Sequence, residues 1–483
     1  MSTKNSNETK VQEAVYDAKQ LGTPRMLVLG LQHMFAMFGA TVLVPALTGL
    51  SVSATLLFAG VGTLLFHLIS KRKVPAFLGS SFAFLAGYAA IAPNGEKELL
   101  PYACLGVACA GLVYLILAAL IKSFGVNRVM KYFPPIVTGP IIIGIGLSLS
   151  QSAVDNCSTN WLVALIAILI VVICNLCGKG MIRIIPIILG VLGSCFVAII
   201  LALIFGQTIT GADGAEYITI GGVENLRLFS VASIDAIKEA SWIGLPFKMS
   251  DTVFSIFSNP DTKLIITAII TIVPISVATI VEHIGDISAI SSTVDRNFIE
   301  DPGLHRTLTG DGLATFVASL FGAPANTTYG ENTGVLSLSK VYDPVVIRIA
   351  AVFAMIFSFS PKIAACISAI PTPVMGGISL VLYGMISAVG VRNIVENKVD
   401  FSESRNVIIA AIILVLAIGI TYSSAGAINI PCGSMVISLS GLAVGSLAGI
   451  ILNAVLPGRD KTDNIEAVHK KTEEIKTDKE KTE

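Results

Sequence analysis

Long apolar runs separated by short polar turns fill the chain from about residue 26 to residue 456. A helix that crosses a bilayer needs roughly 20 mostly apolar residues, because its backbone must bond to itself where there is no water. By that measure spans are expected near residues 26–47, 52–70, 99–121, 135–150, 161–178, 184–206, 263–285, 345–360, 364–390, 406–421 and 434–456. Three further apolar stretches, near 76–92, 309–322 and 326–340, are short or broken by Gly, Pro, Ser and Thr. Counting them gives about fourteen crossings, an all-α polytopic membrane architecture.

Between these runs the bases are unevenly placed. Lys71-Arg72-Lys73, Lys122/Arg128/Lys131, Lys179/Arg183, Arg296/Arg306, Lys340/Arg348 and Arg392/Lys398/Arg405 alternate with nearly base-free loops such as 151–160 and 422–433. Short loops rich in Lys and Arg are retained in the cytoplasm, so both tails, 1–25 and 457–483, are expected there. Residues 207–262 contain Gly, Asp and Asn turn signals and an amphipathic stretch around Ile234–Trp242. They are expected to form an extracellular linker between two halves, 26–206 and 263–456.

The halves echo each other. Gln32-His33 answers to Glu282-His283, Pro75-Ala76 with Ser80-Ser81-Phe82 to Pro324-Ala325 with Thr328-Tyr329-Gly330, and FPPIVTGPIIIGIGLSLS from Phe133 to IPTPVMGGISLVLYGMIS from Ile370. An odd number of spans in each half inverts one repeat relative to the other. Inverted repeats in transporters place the binding site at mid-membrane, where interrupted helices from both halves meet. The interrupted segments 75–92 and 324–340 are therefore the site candidates.

Composition sharpens this picture. The chain is 54% hydrophobic and 13% charged, with a formal net charge of zero. That composition excludes a soluble multidomain protein, and with no concentrated basic patch it argues against a nucleic-acid partner. The eight cysteines sit mostly inside apolar runs and read as small hydrophobes; Cys174 and Cys177 form a C-x-x-C with no second pair or histidine at ligand spacing. No metal or cofactor is expected. The chain carries no G-x-x-x-x-G-K-[ST], H-E-x-x-H or G-x-S-x-G, so neither an ATP-driven pump nor an intramembrane hydrolase has visible machinery.

Charged side chains within spans are costly, and their default reading is functional. Glu282 and Asp286 stand i, i+4 on one helical face, and Glu331 lies in the second broken segment. A buried carboxylate without a cation tends to hold a proton, which suits a proton-coupled cycle. His33 and His283 follow polar residues in corresponding spans, as proton carriers or as hydrogen-bonded packing elements. Phe82 and Tyr329 hold corresponding places in the broken segments, where they either cover the faces of a flat ligand or pack. Asp311, between Gly310 and Gly312, is either a cap or a network member. Carboxylates that accept ring N–H groups, backbone N–H groups at half-helix ends and two aromatic rings describe a neutral, flat lactam.

The motifs QHMFAMFGATVLVP, PAFLGSSFAF, VEHIGD, DPGLHR, PANTTYGENTGV and PTPVMGGISLVLYG resemble those of the nucleobase-ascorbate transporters, in particular their uracil permease branch, over about residues 26–456. The resemblance implies fourteen segments in two inverted repeats of seven, a core domain and a gate domain, and a short strand in each of the broken third and tenth segments. It implies that Glu282 and Glu331 bond the nucleobase ring, that the backbone of Phe82 and Gly330 meets its carbonyls, and that Ala40, Ser81 and Tyr329 line the pocket opposite the gate residue Tyr383. Glu282, Asp286, Glu331 and His33 are the candidates for proton coupling. The expected activity is proton-coupled uracil import across the bacterial inner membrane by a homodimer in contact with lipid. A xanthine or urate symporter is the alternative, and an anion transporter of the same architecture a more distant one. Two departures bear on this. Asp286 stands where some uracil permeases have histidine and resembles the purine branch, and Ser339 replaces a usual threonine.

Overall fold

The computed structural model describes residues 14–93, 95–432 and 435–457; residues 1–13 and 458–483, most of the two expected tails, lie outside the described residues. The first half opens with α1 (Thr23–Thr48) and α2 (Val52–Ile69). Gly49 stops α1 in a left-handed conformation, φ 80°, and returns its N–H to Pro45 O. The Ser51 hydroxyl starts α2 by accepting from the Ala54 N–H. The first broken segment becomes strand β1 (Leu78–Ser80) and half-helix α3 (Leu85–Ile91). There follow α4 (Leu100–Phe124), α5 (Val126–Met130), α6 (Pro135–Ser148), α7 (Ser150–Ser158), α8 (Trp161–Cys177), α9 (Met181–Ile184) and α10 (Pro186–Phe205).

The linker is structured. Strands β2 (Gly206–Thr210), β3 (Glu216–Ile220) and β4 (Arg227–Ser230) form an antiparallel sheet, followed by α11 (Val231–Glu239). The second half contains α12 (Thr262–Ile272), α13 (Ser276–Val294) and α14 (Leu304–Leu320), then the second broken segment, β5 (Asn326–Thr328) and α15 (Gly330–Ser339). After these come α16 (Pro344–Ser358), α17 (Pro361–Ser368), α18 (Thr372–Glu396) and α19 (Ser404–Thr421). A hairpin, β6 (Ala427–Cys432) and β7 (Met435–Ser440), and α20 (Gly441–Val455) close the described chain.

Among the described residues eight helices are long and apolar enough to cross a membrane, nine if α16 and α17 count as one broken span. The protein is thus a multi-pass membrane protein. The all-α expectation needs correction at three places. The run 434–456 begins in strand β7, so its helix starts only at Gly441. The expected span 364–390 divides into α17 and α18, because Pro371 and Pro373 cannot continue a helix through its interior. α16 and α17 meet at 89°. The linker, expected to hold one amphipathic stretch, also holds a sheet, and its helix ends at Glu239 rather than reaching Trp242.

Two helix groups are legible. α14 lies against α4 and α2, and α16 against α1 and α2; α18 lies against α6, α7 and α8, α10 against α8, and α19 against α6 and α20. Paired glycines set the closest approaches. A Cβ on Gly312 would lie 2.7 Å from Gly111 O, and one on Gly390 would lie 2.6 Å from Gly139 O, so the backbones of α4 and α14, and of α6 and α18, touch. Small residues at such crossings are how helices associate where the surrounding lipid removes the hydrophobic drive. The described part of the N-terminal tail is tied down beside α16: Val15 N–H bonds Lys340 O, Tyr342 N–H bonds Val15 O and Ala18 N–H bonds Asp343 Oδ2, each at 2.8 Å.

Candidate functional site

The two broken segments meet as an antiparallel strand pair, Leu78 facing Thr328, Gly79 facing Thr327 and Ser80 facing Asn326. Ser81 N–H to Ala325 O, 2.8 Å, and Tyr329 N–H to Phe77 O, 3.1 Å, extend the ladder at its ends. A two-stranded ribbon deep in a membrane protein still has outer edges to satisfy. Side chains do this, Leu78 N–H donating to Thr63 Oγ1 at 2.9 Å and Thr315 Oγ1 donating to Asn326 O at 2.6 Å, while the ribbon's own Ser80 Oγ donates to Thr41 O of α1 at 2.8 Å. Helices α1, α2 and α14 thereby fix the ribbon. Gly79 is required by its neighbours, since a Cβ there would lie 2.6 Å from both Thr41 Oγ1 and the Tyr329 ring.

A cavity of about 400 Å³ opens beside this ribbon. Ser80, Phe82, Glu282, Asp286, Thr328, Tyr329 and Gly330 line it, and so do Arg392, Asn393, Glu396 and Asn397 of α18. The first set follows from local structure. Glu282 and Asp286 are one turn apart on α13, and Gly330 is the first residue of α15. The Tyr329 hydroxyl donates to Ser80 O at 2.9 Å, which locks the ring across the ribbon. Tyr383 meets Phe82 edge-on, ring centroids 5.8 Å apart, but is not itself among the cavity-lining residues.

Of the ten residues singled out from sequence, Phe82, Glu282, Asp286, Tyr329 and Gly330 line the cavity. Ala40, Ser81 and His33 are buried and do not line it. Neither ring nitrogen of His33 has a hydrogen-bond partner among the described residues. Glu331 falls in the first turn of α15, but its side chain lies outside what the structure describes.

A buried polar network backs the cavity. Thr328 Oγ1 donates to Asp286 Oδ2 at 2.9 Å, and lies 3.4 Å from His283 Nδ1. His283 Nδ1 is in turn 3.0 Å from Asp311 Oδ2, both side chains being wholly buried. Asp311 is therefore a network member on α14, not a cap. This pairing and the role of Thr328 escaped the sequence reading, since residues far apart in the chain give no local signal. The polar stretch of α18 had one: Arg392/Glu396 and Asn393/Asn397 each repeat at i, i+4, a helical face rather than a loop.

Two broken segments, paired strand to strand beside a cavity in a bundle of apolar helices, are the build of a membrane transporter. Residues 24–426 match a family model described as the permease family. The chain belongs to this family, that of the nucleobase-ascorbate transporters. It is 38% identical over 442 residues to the uracil permease of Bacillus caldolyticus, an alignment covering 90% of this chain and 92% of the relative. It is 37% identical to the uracil permease of Bacillus subtilis (88% and 91% covered) and 34% identical to that of Escherichia coli K12 (88% and 90%). Among solved structures, the transmembrane domain of a cyanobacterial bicarbonate transporter, BicA, superposes with a TM-score of 0.59 at 13% identity, over 91% of this chain and 99% of that one. Murine Slc26a9, an anion transporter in the inward-facing state, gives 0.57 at 11% identity, over 93% and 73%. At such identities these two likenesses speak for the fold alone.

Proposed function

We propose that this protein is a proton-coupled uracil symporter, importing the nucleobase across the plasma membrane with both termini in the cytoplasm. Its fourteen segments form two inverted repeats of seven, 26–206 and 263–456. The group built on α1, α2, α4, α14 and α16 acts as the core and the group built on α6, α8, α10, α18 and α19 as the gate, and they move against each other in alternating access. The observation that carries this reading is the cavity at the β1/β5 ribbon, where two acids on one face of α13, the ring of Phe82 and the N-terminus of α15 converge. Relatives named uracil permeases, 34–38% identical over most of the chain, support the substrate.

Chemically, Glu282 and Glu331 accept the ring N–H groups, while the N–H of Gly330 at the start of α15 and that of Phe82 donate to the carbonyl oxygens. Phe82 covers one face of the ring, held by the edge of Tyr383. An acid at the site that loads a proton from outside and releases it inside couples the gradient to the solute; Asp286, already held by Thr328, is part of that set. The partners are uracil, protons and lipid, and the protein acts as a homodimer.

Radiolabelled uracil uptake into proteoliposomes, with and without an inward proton gradient, tests substrate and coupling together. Gradient-driven accumulation insensitive to excess xanthine is expected. Strong xanthine competition would move the assignment to the purine branch, in line with the aspartate at position 286, and accumulation indifferent to the gradient would remove proton coupling. Glu331→Gln is expected to leave the protein folded and abolish uracil binding, because the amide supplies neither the charge nor both acceptor positions.

A further inference from the structure

The segment after α11 turns three large apolar side chains outward. Trp242 is 72% exposed, Ile243 84% and Leu245 83%, among the most exposed large apolar residues described. A floppy loop would bury such side chains against the protein, but this one is pinned. Gly244 N–H donates to Phe359 O and Lys362 N–H donates to Ser241 O, each at 3.0 Å. Just beyond, Phe247 turns inward and packs on Phe58 and Phe321, with ring centroids 6.3 and 5.4 Å away. On the other side the Lys362 ammonium reaches the Lys238 carbonyl at the end of α11, at 3.3 Å. The outward display is built in.

What covers it follows from where it sits. The loop docks at the Phe359 end of α16, the end remote from the N-terminal segment, which is tied beside Asp343. Val352 and Ile356 on α16 and Phe359 at its C-cap are exposed at spacings of four and three, one face of the helix, and the stripe meets the loop where Phe359 O accepts from Gly244 N–H. With 15 residues α16 is about 22 Å long, short of the roughly 30 Å of a hydrocarbon core. Apolar side chains just past its end extend the apolar belt. A tryptophan beside a lysine at the end of a span is the composition that membrane–water boundaries select.

We propose that Trp242, Ile243 and Leu245 insert into the acyl–headgroup boundary of the leaflet on this face, so that the linker is anchored to lipid where α16 turns into α17. The occupant is phospholipid and not a second protein, because the patch continues the lipid-facing stripe of α16.

The sequence contains two tryptophans, Trp161 and Trp242, which makes the test direct. Trp161→Phe leaves Trp242 as sole reporter in protein reconstituted into phosphatidylcholine vesicles. Lipids brominated near the top of the acyl chain are expected to remove most of its emission, lipids brominated near the methyl end less, and aqueous iodide little. Quenching by iodide with none from brominated lipid would put the loop in water and overturn the proposal. Protection from both quenchers would place protein over it and overturn it equally. If Trp161→Phe does not fold, the difference in quenching between the wild type and Trp242→Phe reads the same site.

Discussion

Adding one methyl group at Gly79 puts the ribbon to the test. In Gly79→Ala the new carbon would lie 2.6 Å from Thr41 Oγ1 and 2.6 Å from two Tyr329 ring carbons. Favourable contacts begin near 3.5 Å, so the overlap is about 1 Å on both sides. Neither neighbour yields easily: Thr41 is buried and its hydroxyl donates to Met37 Sδ at 3.2 Å, and the Tyr329 ring is held by its bond to Ser80 O. Overpacking of this kind costs about 1–3 kcal/mol, and losing the Tyr329 bond adds about 0.5–1.5. Tyr329 lines the cavity, so a ring displaced by the clash changes the shape of the binding space. If about 2–4 kcal/mol is lost from the bound geometry, uracil affinity falls roughly thirty- to several hundred-fold, at 1.4 kcal/mol per factor of ten. Gly334→Ala is the matched control, since nothing among the described residues lies within 4 Å of its added carbon and the change favours helix α15. Titration calorimetry on detergent-purified protein measures both. Gly79→Ala binding within about threefold of wild type would refute the packing argument.

Three further outcomes are expected. Thr328→Val keeps the shape but removes the donor to Asp286, costing about 1.5–3 kcal/mol, to be read as a lower thermal unfolding midpoint in detergent; an unchanged midpoint would mean that Asp286 is held by other groups. Asp311→Leu strips the buried partner from His283 and is expected to reduce the yield of monodisperse protein on size-exclusion chromatography far more than Asp311→Asn, which keeps an acceptor; equal yields would contradict a polar role. In the linker sheet the Tyr217 hydroxyl holds Asp213 below the usual carboxylate range, and the Ala212 N–H and Arg227 do the same for Glu224. Groups with depressed folded values stabilise above the ordinary carboxylate range and lose that effect as pH falls through it. Proteolytic nicking of residues 211–227 should therefore accelerate below about pH 4 and stay flat from 5 to 8. Acceleration near neutrality would point to another group.

Much of the cavity lining was legible because its signals are local. Glu282 and Asp286 share a helical face through spacing alone, and the Gly, Ser, Pro and Thr interruptions at 75–92 and 324–340 mark helices that cannot run straight. Pairing between the interruptions was not legible from composition, since strand register depends on partners 250 positions away. His283 with Asp311 is a second case: each looks like an isolated polar residue until α13 and α14 are packed. The hairpin 427–440 was misread for a different reason. Its β7 half merges with the apolar start of α20 into one run, and apolar content alone does not separate a strand from a span. His33 and Ala40 show the converse, residues on a motif that the packing buries away from the cavity.

The β1/β5 ribbon also bears on how the molecule is made. Leu78 leaves the ribosome about 250 residues before Thr328, its partner. At about 5–20 residues per second the first strand waits roughly 12–50 s for the second. During that interval its backbone groups sit in a half-built bundle with no ladder to join. The insertion machinery must therefore shelter residues 75–92 in a hydrated or protein-lined space until the second half arrives, and a ribosome stalled within the linker would strand a product able to enter the membrane but never to close its centre.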